Sequence, residues 1–179
     1  MSAIVLRGLP PALRDDARVL VLGSMPGEAS LRQQQYYGHP RNRFWPLMAA
    51  LCDVDAASPY PQRIASLNAA GVALWDVLGE CVRRSSLDSA IERGREVANP
   101  IAALCAGLPA LRAIALNGGK AAQAFARHIE PQFDAALSRR LAIYRLPSTS
   151  PANASYALPQ LQAAWSVLGE ALSPARTST

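Results

Sequence analysis

The stretch Y-Y-G-H-P-R-N-R-F-W occupies residues 36–45, and a glycine turn, G-S-M-P-G, precedes it at residues 23–27. Immediately before the turn, residues 18–22 form a short apolar run rich in β-branched side chains, which predicts a buried strand. Open α/β sheets bind ligands where a strand ends in such a turn and is followed by polar and aromatic groups at a helix start. Tyrosine can stack on a flat ligand, and asparagine can bond to its edge or to a water. The stretch therefore predicts a site for a flat, hydrogen-bonding molecule.

The rest of the chain alternates between apolar runs of strand length and amphipathic segments of helix length. Further strands are predicted at residues 72–77, 111–116 and 141–146. Helices are predicted at residues 41–52, 59–71, 99–107, 119–128 and 158–172, with one exposed helical turn at 88–93. Asn99 is expected to cap the third of these helices, with Pro100 at its first position. The alternation predicts an α/β fold with three layers, α/β/α, around a mainly parallel sheet of about four strands.

Length and composition point to one domain with a sizeable core. Of the 179 residues, 50% are hydrophobic. We expect a single domain over residues 1–172 and a disordered tail over residues 173–179, with residues 1–17 as a surface lead-in and residues 79–95 as the least regular part. The 18 basic and 13 acidic residues give a net charge of +5. This charge permits contacts with nucleic-acid phosphates, but it is equally ordinary for a basic soluble protein.

The cysteines and histidines indicate neither a disulfide framework nor a metal site. Cys52, Cys81 and Cys105 are odd in number and widely spaced, and His39 and His128 complete no metal-ligand spacing with them. We therefore expect no metal or other cofactor, and a reducing cytoplasmic location. The start of the chain is too short for a signal peptide and no apolar run reaches membrane-spanning length, so we expect no membrane partner. We also expect a monomer.

The motif segments resemble the first motif region of the uracil-DNA glycosylase superfamily. H-P-R-N-R-F-W at residues 39–45 is similar to the H-P-x-N-R-F-W of the mismatch-specific uracil/thymine glycosylases. Those enzymes carry a catalytic Asn inside G-I-N-P-G, where this chain has Met25, which can neither orient a water nor accept a proton. The departure matches the hypoxanthine-DNA glycosylase branch, whose pattern G-S-x-P…S-L…Y-Y…P-x-N-x-F-W fits residues 23–45. The likeness extends to L-N-G-G-K at residues 116–120 and to L-P-S-T-S-P-A-N at residues 146–153, so it spans most of the chain.

The resemblance implies a DNA-repair enzyme that flips a deaminated base, above all hypoxanthine, out of double- or single-stranded DNA and hydrolyses its glycosidic bond. It implies Asn42 as the catalytic residue of this branch, and Asn117 as a second polar residue of the pocket and the second catalytic candidate. It also implies that Tyr37 stacks on the base. Asp76, at the end of the second strand, stands where the superfamily reads the base edge and could accept a hydrogen bond from N1–H of hypoxanthine. Alternatively, Asp76 caps the following turn.

Three further residues are assigned to the base pocket. Ser24 and Met25 lie in the glycine turn and would supply backbone N–H donors, and Phe44 would belong to the pocket floor or to the core. The polar candidates also have ordinary structural alternatives. Asn42 would otherwise satisfy backbone donors at the helix start, and Asn117 would be a turn residue that tolerates a left-handed conformation.

Contacts with the DNA backbone are expected from two loops. The segment at residues 146–153 resembles the motif that related families insert into DNA. Those families begin it with His or Asn, where this chain has Leu146, and they carry a leucine wedge that is absent here. Serine hydroxyls can bind phosphates, and Pro151 could act as a blunt wedge. The expected DNA-binding residues are His39, Arg41, Ser148, Thr149, Ser150, Pro151 and Asn153. For His39, a bond to the backbone of its own loop is the plainer interpretation.

Three functions stay open at this point. The first is a monofunctional deoxyinosine glycosylase, which needs no Schiff-base lysine and leaves an intact abasic site. The second is a mismatch-specific uracil/thymine glycosylase, against which Met25 counts. The third is a module that binds damaged DNA without cleaving it, because the usual polar residues of two motifs are missing.

Overall fold

A four-stranded parallel sheet lies at the centre of the protein, together with a three-stranded antiparallel sheet. The computed structural model describes residues 4–83 and 94–174, so the helical turn predicted at 88–93 and residues 175–179 of the predicted tail lie outside it. The strands are β1 (Ile4–Arg7), β2 (Val19–Gly23), β3 (Val72–Asp76), β4 (Leu78–Arg83), β5 (Val97–Ala98), β6 (Ala113–Asn117) and β7 (Ala142–Leu146). The helices are α1 (Glu28–Gln33), α2 (Phe44–Cys52), α3 (Tyr60–Ala69), α4 (Ile101–Ala106), α5 (Gly119–His128), α6 (Ala135–Arg140), α7 (Leu158–Trp165) and α8 (Gly169–Leu172), with 3-10 turns at Glu130–Gln132 and Ser166–Leu168.

The central sheet has the strand order β3-β2-β6-β7, and each neighbouring pair is parallel. Its strands are the four that the sequence predicts, with small shifts at their ends. The α/β class and the parallel sheet of four strands are therefore confirmed. Because β2 lies between β3 and β6, the glycine turn that follows it opens at an inner position on the carboxyl edge of the sheet, where ligands bind in such folds.

Both faces of the central sheet are covered, as is usual for a parallel sheet. The side chains of β2 alternate between them, since Val19 and Val21 pack on one face while Leu20 and Leu22 pack on the other. The helices contribute Phe44, Leu47, Leu67, Leu161 and Trp165 to the first face and Ile101, Cys105, Ala121 and Phe125 to the second. The sheet and its two layers of helices form the predicted α/β/α arrangement.

The sequence patterns do not predict the antiparallel sheet. β4 pairs with β1 on one side and with β5 on the other. Within the predicted surface lead-in, residues 4–7 thus form a strand of a sheet, and the stretch expected to be least regular begins with a strand. Cys81 and Val82 are buried and Glu80 is partly exposed, so the apolar run of β4 is short, and the charged residues beside it hide the strand signal.

Two helix starts differ from the prediction. Asn99 does not cap α4, because Pro100 occupies the N-cap position and the Asn99 amide donates instead to the backbone carbonyl of Asp76 at 2.8 Å. This bond ties the start of α4 to the end of β3. Helix α2 begins at Phe44 rather than at residue 41, because the preceding residues form a turn that His39 closes by accepting a bond from the Asn42 N–H at 2.9 Å.

The C-terminal part is more irregular than predicted. The helix expected at residues 158–172 is divided into α7, a 3-10 turn and α8. Ser173, which the prediction places in the tail, bonds to the Gly169 carbonyl at 3.1 Å, so order extends past residue 172. Helices α1 and α6 are not predicted, since six residues are too few to show a clear apolar period. Within the residues that the structure describes, no helix is both long and apolar enough to cross a membrane.

Two arginines fasten the C-terminal helix to the sheet. Arg18 Nε donates to the Leu172 carbonyl at 3.1 Å, and its Nη2 donates to the Ala70 carbonyl at 2.9 Å. Arg112 Nη1 donates to the Ser173 carbonyl at 2.8 Å. The carbonyls lie at the carboxyl ends of α3 and α8, where a cation also interacts favourably with the helix dipole. These bonds satisfy backbone groups that the helix ends leave without an intrahelical partner.

Replacing Arg18 with Ala should lower the free energy of unfolding by about 2 kcal/mol, because two carbonyls lose a charged donor. Arg14→Ala is the matched control, since that guanidinium and its partner Asp16 are each 55% exposed and their pair should contribute less than about 0.5 kcal/mol. Urea unfolding followed by circular dichroism measures both variants. Equal stability of the two variants would contradict the fastening role of Arg18.

Candidate active site

A cavity of about 710 Å³ opens at the carboxyl edge of the central sheet, where β2, β3 and β6 end. Four segments enclose it: the turn after β2, the loop before α2, the start of α5 and the loop between β7 and α7. The residues of the sequence prediction that line it are Ser24, Met25, Tyr37, His39, Arg41, Asn42, Asp76, Asn117, Ser148, Thr149, Ser150, Pro151 and Asn153. The fold thus brings the separate motifs to one place, with Phe44 as the exception.

The glycine turn after β2 is held by its carbonyl groups. The Gly23 carbonyl accepts a bond from Val77 N–H at 2.9 Å, and the Ser24 carbonyl accepts one from Leu78 N–H at 2.9 Å. Glycine is required at position 23, because a Cβ there would lie 2.5 Å from Asp76 Oδ1. The protein uses these two carbonyls itself, so what the turn can offer a ligand is its N–H groups.

Ser24 and Met25 form a small, mostly covered part of the cavity wall. Each is 6% exposed, and both line the cavity. The thioether of Met25 is a soft apolar surface that cannot donate a hydrogen bond and accepts one only weakly. As expected from the sequence, the side chain at position 25 therefore cannot hold a water for attack on a substrate.

Tyr37 forms an aromatic wall of the cavity, and Phe44 supports it from behind. The two rings stack with their centroids 3.9 Å apart and an interplanar angle of 22°. Phe44 is 0% exposed and does not line the cavity, so of the two expected places, pocket floor or core, it occupies the core, where it supports Tyr37. The backbone of Tyr37 has φ of 55°, a left-handed conformation that costs a bulky residue about 1–3 kcal/mol. Such strain persists only where the surrounding packing fixes the residue, so this ring is ordered in advance of any ligand.

Tyr36 and Asp76 are buried polar residues of the cavity, 4% and 5% exposed. The Tyr36 hydroxyl donates to the Pro10 carbonyl at 2.7 Å. Burial raises the pKa of this hydroxyl far above its ordinary value, and the negative charge of Asp76 raises it further, so Tyr36 remains a neutral donor. The motif assigns no role to Tyr36; its position beside Tyr37 in the Y-Y pair is the signal that it also belongs to the site.

Asn42 stands just before α2, and its amide has a fixed orientation. Its Oδ1 accepts a hydrogen bond from Phe44 N–H at 2.9 Å, which is the ordinary role of an asparagine at a helix start. Because the backbone group is a donor, the atom that faces it is Oδ1, and the Nδ2 group is left for the cavity. In the described part of the chain no residue accepts a bond from Nδ2. Asn42 thus offers a ligand two N–H donors.

Thr149 joins three segments around the cavity while being 0% exposed. Its N–H donates to Asn117 Oδ1 at 3.0 Å, and its Oγ1 accepts a bond from Asn117 Nδ2 at 3.0 Å. Its carbonyl accepts a bond from Arg43 N–H at 3.0 Å. Thr149 is therefore placed to hold its loop, and its contact with DNA stays a prediction. Asn117 is placed to position the same loop, with one N–H and one lone pair of its amide left for a ligand.

Arg43 closes this loop, a role that the motif does not reveal. Its Nη2 donates to the carbonyls of Ser150 and Asn153 at 2.6 and 2.8 Å, and its Nη1 donates to the Tyr156 carbonyl. A positive side chain just before a helix start interacts unfavourably with the helix dipole. An arginine at this position in the sequence therefore indicates that its guanidinium binds some other group. The guanidinium group and the Thr149 bonds together fasten the loop after β7 to the segment before α2.

The other loop residues keep part of their hydrogen-bonding capacity. Ser148 Oγ accepts a bond from Ser150 N–H at 3.1 Å, and Ser150 Oγ accepts one from Ala152 N–H at 3.2 Å, so neither bond consumes the hydroxyl hydrogen. Asn153 uses Nδ2 to bond the Ser148 carbonyl at 2.9 Å. Pro151 is partly buried in the cavity wall.

His39 and Arg41 are exposed where they line the cavity. His39 Nδ1 accepts a bond from Arg41 N–H at 3.1 Å, so in the neutral ring the hydrogen lies on Nε2. The bond to the loop backbone that the sequence favours is present, and Nε2–H remains for a phosphate. Lys120 also lines the cavity as an exposed residue at the start of α5.

The arrangement suits a flat polar ligand. It combines an ordered aromatic wall, amide donors, a buried acidic residue and an exposed rim that carries Arg41 and Lys120 as well as Glu28. Over the described residues, no group of three His, Cys, Asp or Glu side chains is placed to hold a metal.

Comparisons with known proteins agree with this geometry. Residues 10–169 match the family described as the uracil DNA glycosylase superfamily. A relative from Methanosarcina barkeri (strain Fusaro / DSM 804) is named hypoxanthine DNA glycosylase and is 35% identical over 118 residues, which cover 65% of this chain and 73% of the relative. A protein of the same name from Methanosarcina acetivorans is 37% identical over 121 residues, covering 67% of this chain and 75% of the relative.

A solved structure extends the comparison to nearly the whole chain. It is a solution NMR structure of a protein from Methanosarcina acetivorans proposed to be a uracil DNA glycosylase. It superimposes with a TM-score of 0.77 at 30% sequence identity, covering 94% of this chain and 99% of that one. The chain therefore belongs to the uracil DNA glycosylase superfamily, and it is a DNA glycosylase.

Proposed function

We propose that this glycosylase excises hypoxanthine from deoxyinosine in DNA and leaves an intact abasic site. The observation that carries the proposal is the polar pattern of the cavity. Met25 stands where the mismatch-specific enzymes use Asn, while Asn42, whose Nδ2 donors are left over, and the buried acidic residue Asp76 line the same cavity. The two relatives named hypoxanthine DNA glycosylase support the same substrate.

The reaction needs positioning and hydrogen bonds rather than a covalent nucleophile. Hydrolysis breaks the C1′–N9 bond, whose electron pair leaves with the purine, and forms a C1′–O bond with water; the proton that the water loses balances the one that the departing purine takes up. The transition state resembles an oxocarbenium ion, with negative charge moving onto the purine. A protein accelerates this step by placing the water, by bonding the departing base and by excluding solvent. A cavity of about 710 Å³ is within the range that ligand pockets use, and flipping brings the base into it.

The flipped purine lies against the cavity face of Tyr37, whose opposite face is covered by Phe44. Stacking of a base on an ordered ring is worth about 1–3 kcal/mol, and the ring is already in place. Asp76 accepts a hydrogen bond from N1–H of hypoxanthine. Adenine has no hydrogen on N1, so the same carboxylate would face a lone pair. This difference selects the deaminated base.

Asn42 acts through its N–H groups. Its Oδ1 is engaged by Phe44 N–H, so the atoms left for the cavity are donors. Donors suit a departing purine, whose acceptor atoms gain negative charge in the transition state, and they can also hold the oxygen of a water. Asn117 serves as the positioning residue of the opposite wall, because both atoms of its amide already bond Thr149.

The DNA backbone passes over the rim of the cavity. His39 Nε2–H, the Arg41 guanidinium and the hydroxyl hydrogens of Ser148 and Ser150 are the donors there that phosphates can use. Arg43 is not among them, since its guanidinium bonds three backbone carbonyls. Few phosphate contacts of this kind predict modest, salt-sensitive affinity for DNA.

A panel of substrates tests the proposed activity. Duplexes and single strands that each carry one deoxyinosine, deoxyuridine, deoxyxanthosine or mismatched thymidine are incubated with excess enzyme, and the released base and the strand are analysed. We expect free hypoxanthine at the highest rate and strand breakage only after alkali. Fastest release of uracil or thymine would instead assign the mismatch-specific activity, and binding without release of any base would assign a non-catalytic module. Strand breakage without alkali, with a borohydride-trapped adduct, would contradict the monofunctional reaction.

Two substitutions of Asn42 separate its donors from its capping oxygen. Asn42→Ala should slow single-turnover excision of hypoxanthine by about two orders of magnitude or more, the usual loss for a preorganised polar group, and should cost about 1 kcal/mol of stability at most. Asn42→Asp is the matched control, because a carboxylate oxygen can still accept from Phe44 N–H while both donors are gone. We expect wild-type stability and equally slow excision for Asn42→Asp. Near-wild-type excision by either variant would move the catalytic role elsewhere.

A further inference from the structure

One exposed aromatic side chain beside the cavity has no part in the base pocket. Among the described residues, the large hydrophobic side chains that are exposed are Val5, Val97, Val167 and Tyr156, so Tyr156 is the aromatic one of this set, at 38% exposure. It belongs to the loop between β7 and α7, whose earlier residues line the cavity. A single exposed apolar side chain needs no explanation by itself, so its setting decides whether it has a role.

The backbone that carries Tyr156 is held on both sides. On one side its carbonyl accepts a bond from Arg43, the same guanidinium that bonds the carbonyls of Ser150 and Asn153 in the cavity wall. On the other side, the N–H of Ala157 donates to Gln160 Oε1 at 2.7 Å in the first turn of α7. An aromatic ring on a rigid support loses little further entropy when it binds a partner.

The surroundings of Tyr156 favour a nucleic acid as that partner. The neighbouring side chains are small and uncharged, since residues 154–157 read A-S-Y-A. No acidic residue occurs in the sequence between Asp134 and Glu170, so this region adds no negative charge that would repel phosphates. The Arg43 guanidinium holds the Tyr156 carbonyl, and the exposed Arg41 lies two residues before Arg43, so the Tyr156 backbone is tied to the segment that carries this phosphate donor.

Flipping a base out of a duplex leaves a gap that must be filled or collapsed, at a cost of a few kcal/mol in lost stacking. The leucine wedge of the related families is absent from this loop, and its tip carries Pro151 and Ala152. Pro151 is partly buried, and the methyl group of Ala152 is too small to replace a base. Of the loop side chains, the Tyr156 ring has both the flat surface and the exposure that stacking on a base requires.

We propose that Tyr156 stacks on a base next to the vacated position and thereby stabilises the opened duplex. The ring is a positioning residue, since it touches the DNA beside the reacting nucleotide rather than the nucleotide itself. This role rests on the proposed function, because the reacting nucleotide is taken to be deoxyinosine. The role applies to duplex substrates. A single strand has no pair to open, so excision from it should not need the ring.

Single-turnover excision of hypoxanthine from matched duplex and single-stranded substrates tests this role. Tyr156→Ala should slow excision from the duplex about tenfold or more, with the single-strand rate within about twofold of wild type, and Tyr156→Phe should behave as wild type on both. Val167→Ala is the control, because Val167 is a similarly exposed hydrophobic residue (42%) that lies outside the cavity wall. Unchanged duplex excision by Tyr156→Ala, or equal slowing on both substrates, would overturn the proposal.

A binding measurement keeps the inference separate from the substrate assignment. Tyr156→Trp places an indole at the same position, and its emission should be quenched when the protein binds a duplex that contains a tetrahydrofuran abasic-site analogue. The wild-type protein, which has three tryptophans and none at position 156, gives the background. If the wild type releases no hypoxanthine while the quenching is present, the proposed substrate fails and the stacking role stands. Quenching no larger than the wild-type background would overturn the stacking role whatever the substrate.

Discussion

The hydrogen bonds of Thr149 hold the candidate site together. Through its N–H, Oγ1 and carbonyl, this fully buried residue bonds the Asn117 amide at the end of β6 and the Arg43 N–H just before α2. Buried polar groups that lose such partners cost about 1–3 kcal/mol each, so this set of bonds strongly favours one arrangement of the loop. Together with the Arg43 guanidinium, which bonds three carbonyls of the same loop, Thr149 therefore fixes the two walls of the cavity relative to each other.

The position of the catalytic candidate follows from that constraint. Asn42 precedes Arg43 in the chain, and its amide is oriented by Phe44 N–H, so the bond between Arg43 N–H and Thr149 also locates Asn42 against the loop. The left-handed backbone of Tyr37 is tolerated because its ring is stacked on the buried Phe44 at the start of α2. A glycosylase that lacks a polar residue at position 25 can then work with donors held in advance elsewhere in the pocket, without reorganisation during the reaction.

The sequence predicts the layers and the sheet well because both are encoded in local apolar patterns, such as the V-L-V-L run of β2. It also predicts which residues meet at the cavity, because strand ends of a parallel sheet converge at one edge. It does not predict how they bond. Thr149 reads as a serine-like phosphate ligand, and only the tertiary structure shows that Asn117 and Arg43 use its polar groups. Phe44 belongs to a helix start near the pocket, yet packing places its ring behind Tyr37. The sequence does not predict strand β4 and its partner β1, because the pairing of two distant segments leaves little signal in the local sequence of either.

The most direct test of the central claim compares two substitutions of Asn117 by hydrogen–deuterium exchange and by single-turnover excision. Asn117→Ala removes both bonds to Thr149, whereas Asn117→Asp keeps an acceptor for the Thr149 N–H and can accept from its hydroxyl. We predict that Asn117→Ala loses exchange protection at the Thr149 amide and loses excision in parallel, and that Asn117→Asp keeps most of both. Loss of excision in both variants with wild-type protection of this amide would show that the Asn117 amide acts on the substrate itself, and it would contradict the claim that the Thr149 bonds are what the site depends on.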